Sequence, residues 1–169
     1  MRRMIEGVVL CAAMSLAAGL WAQQAEVAEQ RIFYSSEATM KYPVPLPPEM
    51  KAVLEKNPLV QAELAKAGLG AGKLPDAWFT AAAVRTEGGV VLLVVEAERP
   101  LYDEYETAFW IFERAETGYV ELLEETGREL ALGAEGAHPG VRVTREHYHI
   151  YPSTSFRWKD GHYAQVIVK

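Results

Sequence analysis

Two histidines stand at alternate positions, His147 and His149, with Arg145 and Tyr151 beside them. On an extended chain alternate side chains share a face, so this spacing presents two imidazoles together. Such a pair can chelate zinc or copper, but a metal site also needs a third ligand and a group that orients the rings. Glu121, Glu129 and His162 are the candidates for a third ligand, and no spacing selects among them. The charge of Arg145 works against a bound cation. A second stretch suggests a different chemistry: Glu98-Arg99-Pro100-Leu101-Tyr102-Asp103-Glu104-Tyr105-Glu106. Tyrosines give contact area at low entropic cost, and the carboxylates of Asp103, Glu104 and Glu106 set a negative field. That composition suits a cationic protein or peptide, contacted through Tyr102, Asp103, Glu104, Tyr105 and Glu106.

Catalytic chemistry is harder to place. Ser153, Thr154 and Ser155 follow Pro152, but the chain has no G-x-S-x-G elbow, and the three hydroxyls read as a turn. Carboxylates occur in close pairs, Glu96 with Glu98 and Glu124 with Glu125, without a marked cleft between them. Glycines fall at turns rather than in a phosphate-cradling loop. No catalytic residue and no cofactor is assigned.

The chain of 169 residues opens with Arg2 and Arg3, then an apolar run from Val8 to Trp21, and turns polar after Ala22. A basic start, a short apolar core and a small residue at the boundary describe a signal peptide over 1–22. The run is shorter than the ~20 apolar residues of a comfortable span, so no stable membrane insertion is expected after cleavage. Cleavage would also remove Cys11, the only cysteine, leaving an exported protein without disulfides. The expected location is periplasmic or secreted. A formal charge of −6 without a basic stripe argues against nucleic acid as a partner.

The elements that would position these groups follow in order. Residues 23–46 read as an extended tether in which Ile32-Phe33-Tyr34 can add a short strand, and prolines 43, 45, 47 and 48 stiffen its end. Residues 47–169 form the domain. Its first helix starts at Pro48, with Met50, Val53 and Leu54 at helical spacing; Asn57-Pro58 breaks it, and a second helix runs to about Leu69. From Leu74 onward strands alternate with turns. Val90 to Val95 is apolar without interruption, and Thr107 to Glu113 is apolar on both faces, so both strands belong near the covered centre of a sheet. Val141 to Tyr151 reads as one long strand. Asp160-Gly161 signals a tight hairpin that sets Trp158 opposite Tyr163. The expected class is α+β: two short N-terminal helices packed on a strongly curved antiparallel meander sheet of six to eight strands.

Three motifs carry a resemblance: Trp110-Ile111-Phe112, Gly118-Tyr119-Val120-Glu121-Leu122-Leu123, and Trp158-Lys159-Asp160-Gly161-His162-Tyr163. With them, residues 47 to 168 resemble a group of uncharacterised secreted bacterial proteins in which two helices lead into an antiparallel β domain. Some of that group are similar to single units of integrin-type propeller repeats, with an acidic calcium turn before the main buried strand. The corresponding turn here, Arg85-Thr86-Glu87-Gly88-Gly89, keeps one carboxylate where calcium needs several oxygen ligands. The resemblance implies export and a β domain and brings no activity with it. The functional expectation is an exported non-enzymatic binding module. Its alternatives are a metal-binding periplasmic protein using His147 and His149, and an inhibitor of a cationic cell-wall hydrolase.

Overall fold

The computed structural model describes residues 30–35, 40–101, 106–146 and 150–167. Around the apolar stretch the chain builds strand β4 (Val91–Ala97), flanked by β3 (Phe79–Arg85) and β5 (Thr107–Ala115). On its outer sides lie β2 (Pro43–Val44) and β6 (Gly118–Gly127), giving a five-stranded antiparallel sheet in the order β2-β3-β4-β5-β6. Strand β4 therefore sits in the middle of the sheet, paired along both edges. Its alternating side chains serve two cores. Leu92 and Val94 face one way with Phe109 and Ile111, while Leu93 and Val95 face the other with Trp110 and Phe112. All four of these aromatic and branched residues on β5 are fully buried, and each such side chain contributes roughly 1.5–3 kcal/mol.

The two cores are closed by different layers. Helices α1 (Pro48–Leu54) and α2 (Pro58–Lys66) cover the Trp110 face with Met50, Leu54, Val60 and Leu64. Trp110 meets Phe79 edge-on at 5.8 Å, and its indole N–H has no partner among the described residues. Over the opposite face lies a second five-stranded sheet, made of β1 (Ile32–Tyr34), β7 (Glu129–Leu132), β8 (Val141–Thr144), β9 (Ser153–Lys159) and β10 (His162–Gln165) in the order β1-β7-β8-β9-β10. Phe33, Leu130, Leu132, Val141, Val143 and Phe156 point inward from it. The layers are helices, central sheet, second sheet.

The fold is thus mostly antiparallel β with two helices, but it differs from one curved sheet of six to eight strands. Among the described residues, ten strands form two sheets of five. The reason is the junction at Gly127. Strands β6 and β7 are separated by one residue, Arg128, and do not pair with each other; the chain leaves one sheet and enters the other. A Cβ on Gly127 would lie 2.5 Å from Val143 Cγ1 and 2.8 Å from the Thr144 carbonyl oxygen, so only glycine lets the sheets meet there. In sequence a glycine between two alternating runs looks like any hairpin turn.

Other local readings hold or shift for identifiable reasons. The hairpin at Asp160-Gly161 has both residues at positive φ, 51° and 86°, and Trp158 opposes Tyr163 with the rings edge-on at 5.3 Å. Ser153 to Ser155 are not a turn. They are the first residues of β9, paired with Thr144 to Arg142. Strand β8 ends at Thr144 instead of running on to Tyr151; the Arg145 amide still donates to the Pro152 carbonyl at 2.9 Å, while its guanidinium reaches β6. Strand β6 carries a bulge opposite Ile111 and Phe112, which lets the adjacent Leu122 and Leu123 both enter the same core.

Asn57 joins the helix layer to the sheet. Its side chain accepts from the Leu59 amide at 2.9 Å as the cap of α2, and its Nδ2 donates to Glu124 Oε2 at 2.8 Å. Replacing Asn57 by Ala removes both bonds from a buried position. Chemical denaturation is expected to show a loss of about 1–2 kcal/mol. A variant as stable as the parent would mean that α2 docks without its cap.

Candidate functional site

Strand alternation places Glu96 on the same face of β4 as Leu92 and Val94, directed into the space between the two sheets. It lies opposite Thr80 on β3 and Phe109 on β5. The residue is 6% exposed, and no hydrogen bond or ion pair reaches it from any described residue. Burial, and then the nearby carboxylate of Glu98, push its pKa up to about 8. It is therefore largely a neutral acid at pH 7. Glu98 is held apart, accepting a hydrogen bond from Thr80 Oγ1 at 2.7 Å.

Past Glu98 the chain enters the acidic loop. Its entrance is fixed by the Glu98 amide donating to the Trp78 carbonyl at 2.7 Å, the Leu101 amide donating to the Glu98 carbonyl at 2.8 Å, and burial of Leu101 in the helix-side core. Its exit is fixed by Thr107 Oγ1, which donates to the Ala97 carbonyl at 2.7 Å. Tyr102, Asp103, Glu104 and Tyr105 lie outside the described residues. Glu106 is described, and its Oε1 accepts the backbone amide of Glu146 at 3.1 Å.

That bond brings the two stretches singled out in the sequence to one end of the sandwich. Around it, Arg145 donates through Nε to the Thr126 carbonyl at 2.9 Å and through Nη2 to Glu125 at 2.6 Å. Arg128 pairs with Glu146, and its guanidinium lies 5.7 Å from the centre of the Tyr151 ring. Ile150 and Tyr151 stand exposed beside these pairs, at 65% and 52%. Two arginines thus hold this end, tied to Glu125 and Glu146, while Glu106 accepts the Glu146 amide.

His147 and His149 lie outside the described residues. The three side chains considered as a third ligand do not share a place. Glu129 lies on the outer face of the second sheet paired with Arg142, His162 is at the far end of that sheet beside Asp160, and Glu121 belongs to β6 of the central sheet. Residues 1–29, which include the leader, are likewise outside the described residues; among those described, no helix is long and apolar enough to cross a membrane.

Sequence reasoning missed Arg128, Glu146 and the burial of Glu96. The one available signal was the charge closing an apolar run, Val94-Val95-Glu96, which a solvent-facing strand end imitates. It also missed a second polar cluster at the opposite end. There His138 Nε2 lies 2.9 Å from Glu113 Oε2, and the imidazole stacks on Trp158 with centroids 3.7 Å apart. Tyr163 donates to the Pro139 carbonyl at 3.0 Å, and burial followed by the Glu113 charge raises its phenol well above the ordinary value. Every ring in this cluster is occupied by another, so it clamps loop 133–140 onto the sheets and offers little surface to a ligand. A depression of about 250 Å³ between β2 and β3, lined by Pro43, Val44, Pro45, Leu46 and Phe79, is mostly apolar.

Comparison of the chain with family models, curated proteins and solved structures finds no match. The reading of the site rests on its own geometry.

Proposed function

We propose that the protein is an exported, non-enzymatic binding module that takes a cationic protein or peptide at the end of the sandwich where β4–β5 and β8–β9 turn. The observation that supports this reading is the bond between the Glu106 carboxylate and the Glu146 amide. It ties Glu106, the last residue of the acidic stretch, to the segment that leads to exposed Ile150 and Tyr151, which supports a surface combining negative charge with apolar area. The leader pattern over 1–22 supports export. One concrete form is an inhibitor of a cationic cell-wall hydrolase.

The purified protein is expected to lower lysozyme activity. Replacing Tyr102 and Tyr105 by Ala together with Asp103 and Glu104 by Lys should weaken that inhibition by roughly tenfold or more, since like charge then meets like. Circular dichroism should remain unchanged, because the loop ends are anchored by backbone bonds outside the altered residues. Equal inhibition, or equal capture of an envelope protein, by the parent and the variant would remove this end of the molecule from consideration.

A further inference from the structure

Among the described residues, the outer face of the second sheet is the sheet face that neither helices nor another sheet covers. Its composition contradicts the charge of the chain. Inward residues Val141, Phe156 and Tyr163 fix the alternation, so Arg142, Arg157, Lys159 and His162 project outward. Arg142 is diagonal to Arg157, which is two residues from Lys159, and Lys159 lies opposite His162. Strand geometry spaces the three cations about 7 Å apart in a row. Arg157 and Lys159 make no ion pair among the described residues, and Arg142 keeps a long contact of 3.3 Å with Glu129, its side chain 56% exposed. Beside the row stand the hydroxyls of Ser153 and Ser155, both exposed.

From this row we infer a second binding surface, for an acidic polysaccharide whose carboxylates align with Arg142, Arg157 and Lys159. The charge sign excludes a face-to-face pairing of two copies, which would set cations against cations. Nucleic acid fits poorly as well: a flat sheet enters no groove, and the exposed rings described on this face, His162 beside Lys159 and Tyr34 on β1 across β7 and β8, are too far apart to stack successive bases. A chain of sugars with one carboxylate at intervals, and hydroxyls to meet Ser153 and Ser155, matches both the charge and the polarity. The net charge of −6 does not cancel the attraction, since at physiological ionic strength charges beyond about 8 Å are screened. The surface is independent of the acidic end proposed above, because its carriers lie on β8 and β9 and point away from the space between the sheets.

The test uses the full chain after leader removal, titrated with fluorescein-labelled polygalacturonate, with dextran as a neutral control. Binding is expected for the first polymer and not the second, with a slope of log affinity against log salt of roughly −2 to −3 for three neutralised anions. Reversal of all three positions (R142E, R157E, K159E) should cost at least tenfold. The milder pair R157Q and K159Q should cost less, which keeps the test readable if the triple variant misfolds. Reversing Lys56, Lys66 and Lys73, exposed on the helix side, changes net charge equally and should leave affinity intact. Absence of binding at low salt, equal loss in the helix-side control, or tighter binding of a single-stranded oligothymidylate than of polygalacturonate would overturn the assignment. So would a parent dimer that the triple reversal splits, since the face would then belong to a second copy.

Discussion

Glu96→Gln is expected to remove most of a pH dependence of stability that the parent protein shows between pH 4.5 and about 8. The folded chain holds the Glu96 proton up to about pH 8, whereas the unfolded chain releases it near the ordinary 4.5. Below both values each state is protonated and the carboxyl costs nothing. As pH rises through this window the unfolded state binds fewer protons, so unfolding becomes easier, by up to about 1.4 kcal/mol per pH unit. The integrated loss is on the order of 5 kcal/mol, a large share of the stability of a domain this size. Glutamine keeps the shape and the neutrality without a proton to lose. Denaturation midpoints measured from pH 4 to 9 should therefore fall more steeply for the parent than for the variant, and the variant should be the more stable protein at pH 9. Parallel curves would show that Glu96 ionises without cost, and hence that water reaches it freely.

Gly127→Val should destabilise the protein by about 3 kcal/mol or more, at the upper end for overpacking, because the added atoms collide with backbone as well as side chain. The Thr144 carbonyl cannot step aside without breaking the bond it accepts from Arg128, 2.8 Å long. The same substitution at Gly70, where a new Cβ meets nothing within 4 Å, serves as the comparison and should cost little by contact. A Gly127 variant with an unchanged midpoint in urea would mean that the two sheets can slide apart at this corner, contrary to the close contact seen.

Much of the scaffold was readable from residue types because the deciding interactions are local. The uninterrupted run from Val90 to Val95 could only be a strand covered twice, and it is. Asp160-Gly161 supplies the two positive φ angles its hairpin requires, and Asn57-Pro58 both ends one helix and starts the next. The division into two sheets was not readable. It depends on Gly127 touching β8, a contact between segments whose adjacency no periodicity announces. For the same reason Ser153 to Ser155 looked like a turn: Ser153 and Ser155 mark the uncovered face of β9, while Thr154 lies on the inner face opposite Val143. The candidate site divides in the same way. Its acidic loop was visible by composition, but the link from Glu106 to Glu146 spans 40 residues, and the burial of Glu96 depends on a sheet lying overhead. Tyr102 to Tyr105 and the two histidines fall outside the described residues.

The strands β1 and β2 come from a single short stretch, residues 32 to 44, yet they finish the borders of different sheets, β1 along β7 and β2 along β3. Phe33 and Met40, between and within them, are almost wholly enclosed. This stretch acts as a hem for both fabrics at once. Gln30 folds its amide back onto the Ile32 carbonyl, and Pro43 brings no amide hydrogen to the outer margin of β2, so each border ends in groups poorly suited to recruit a stray strand. Without the hem, β3 and β7 would each offer a raw row of amides and carbonyls to a neighbouring molecule. Protection from fibrous self-association is thus written into the residues that precede the helices.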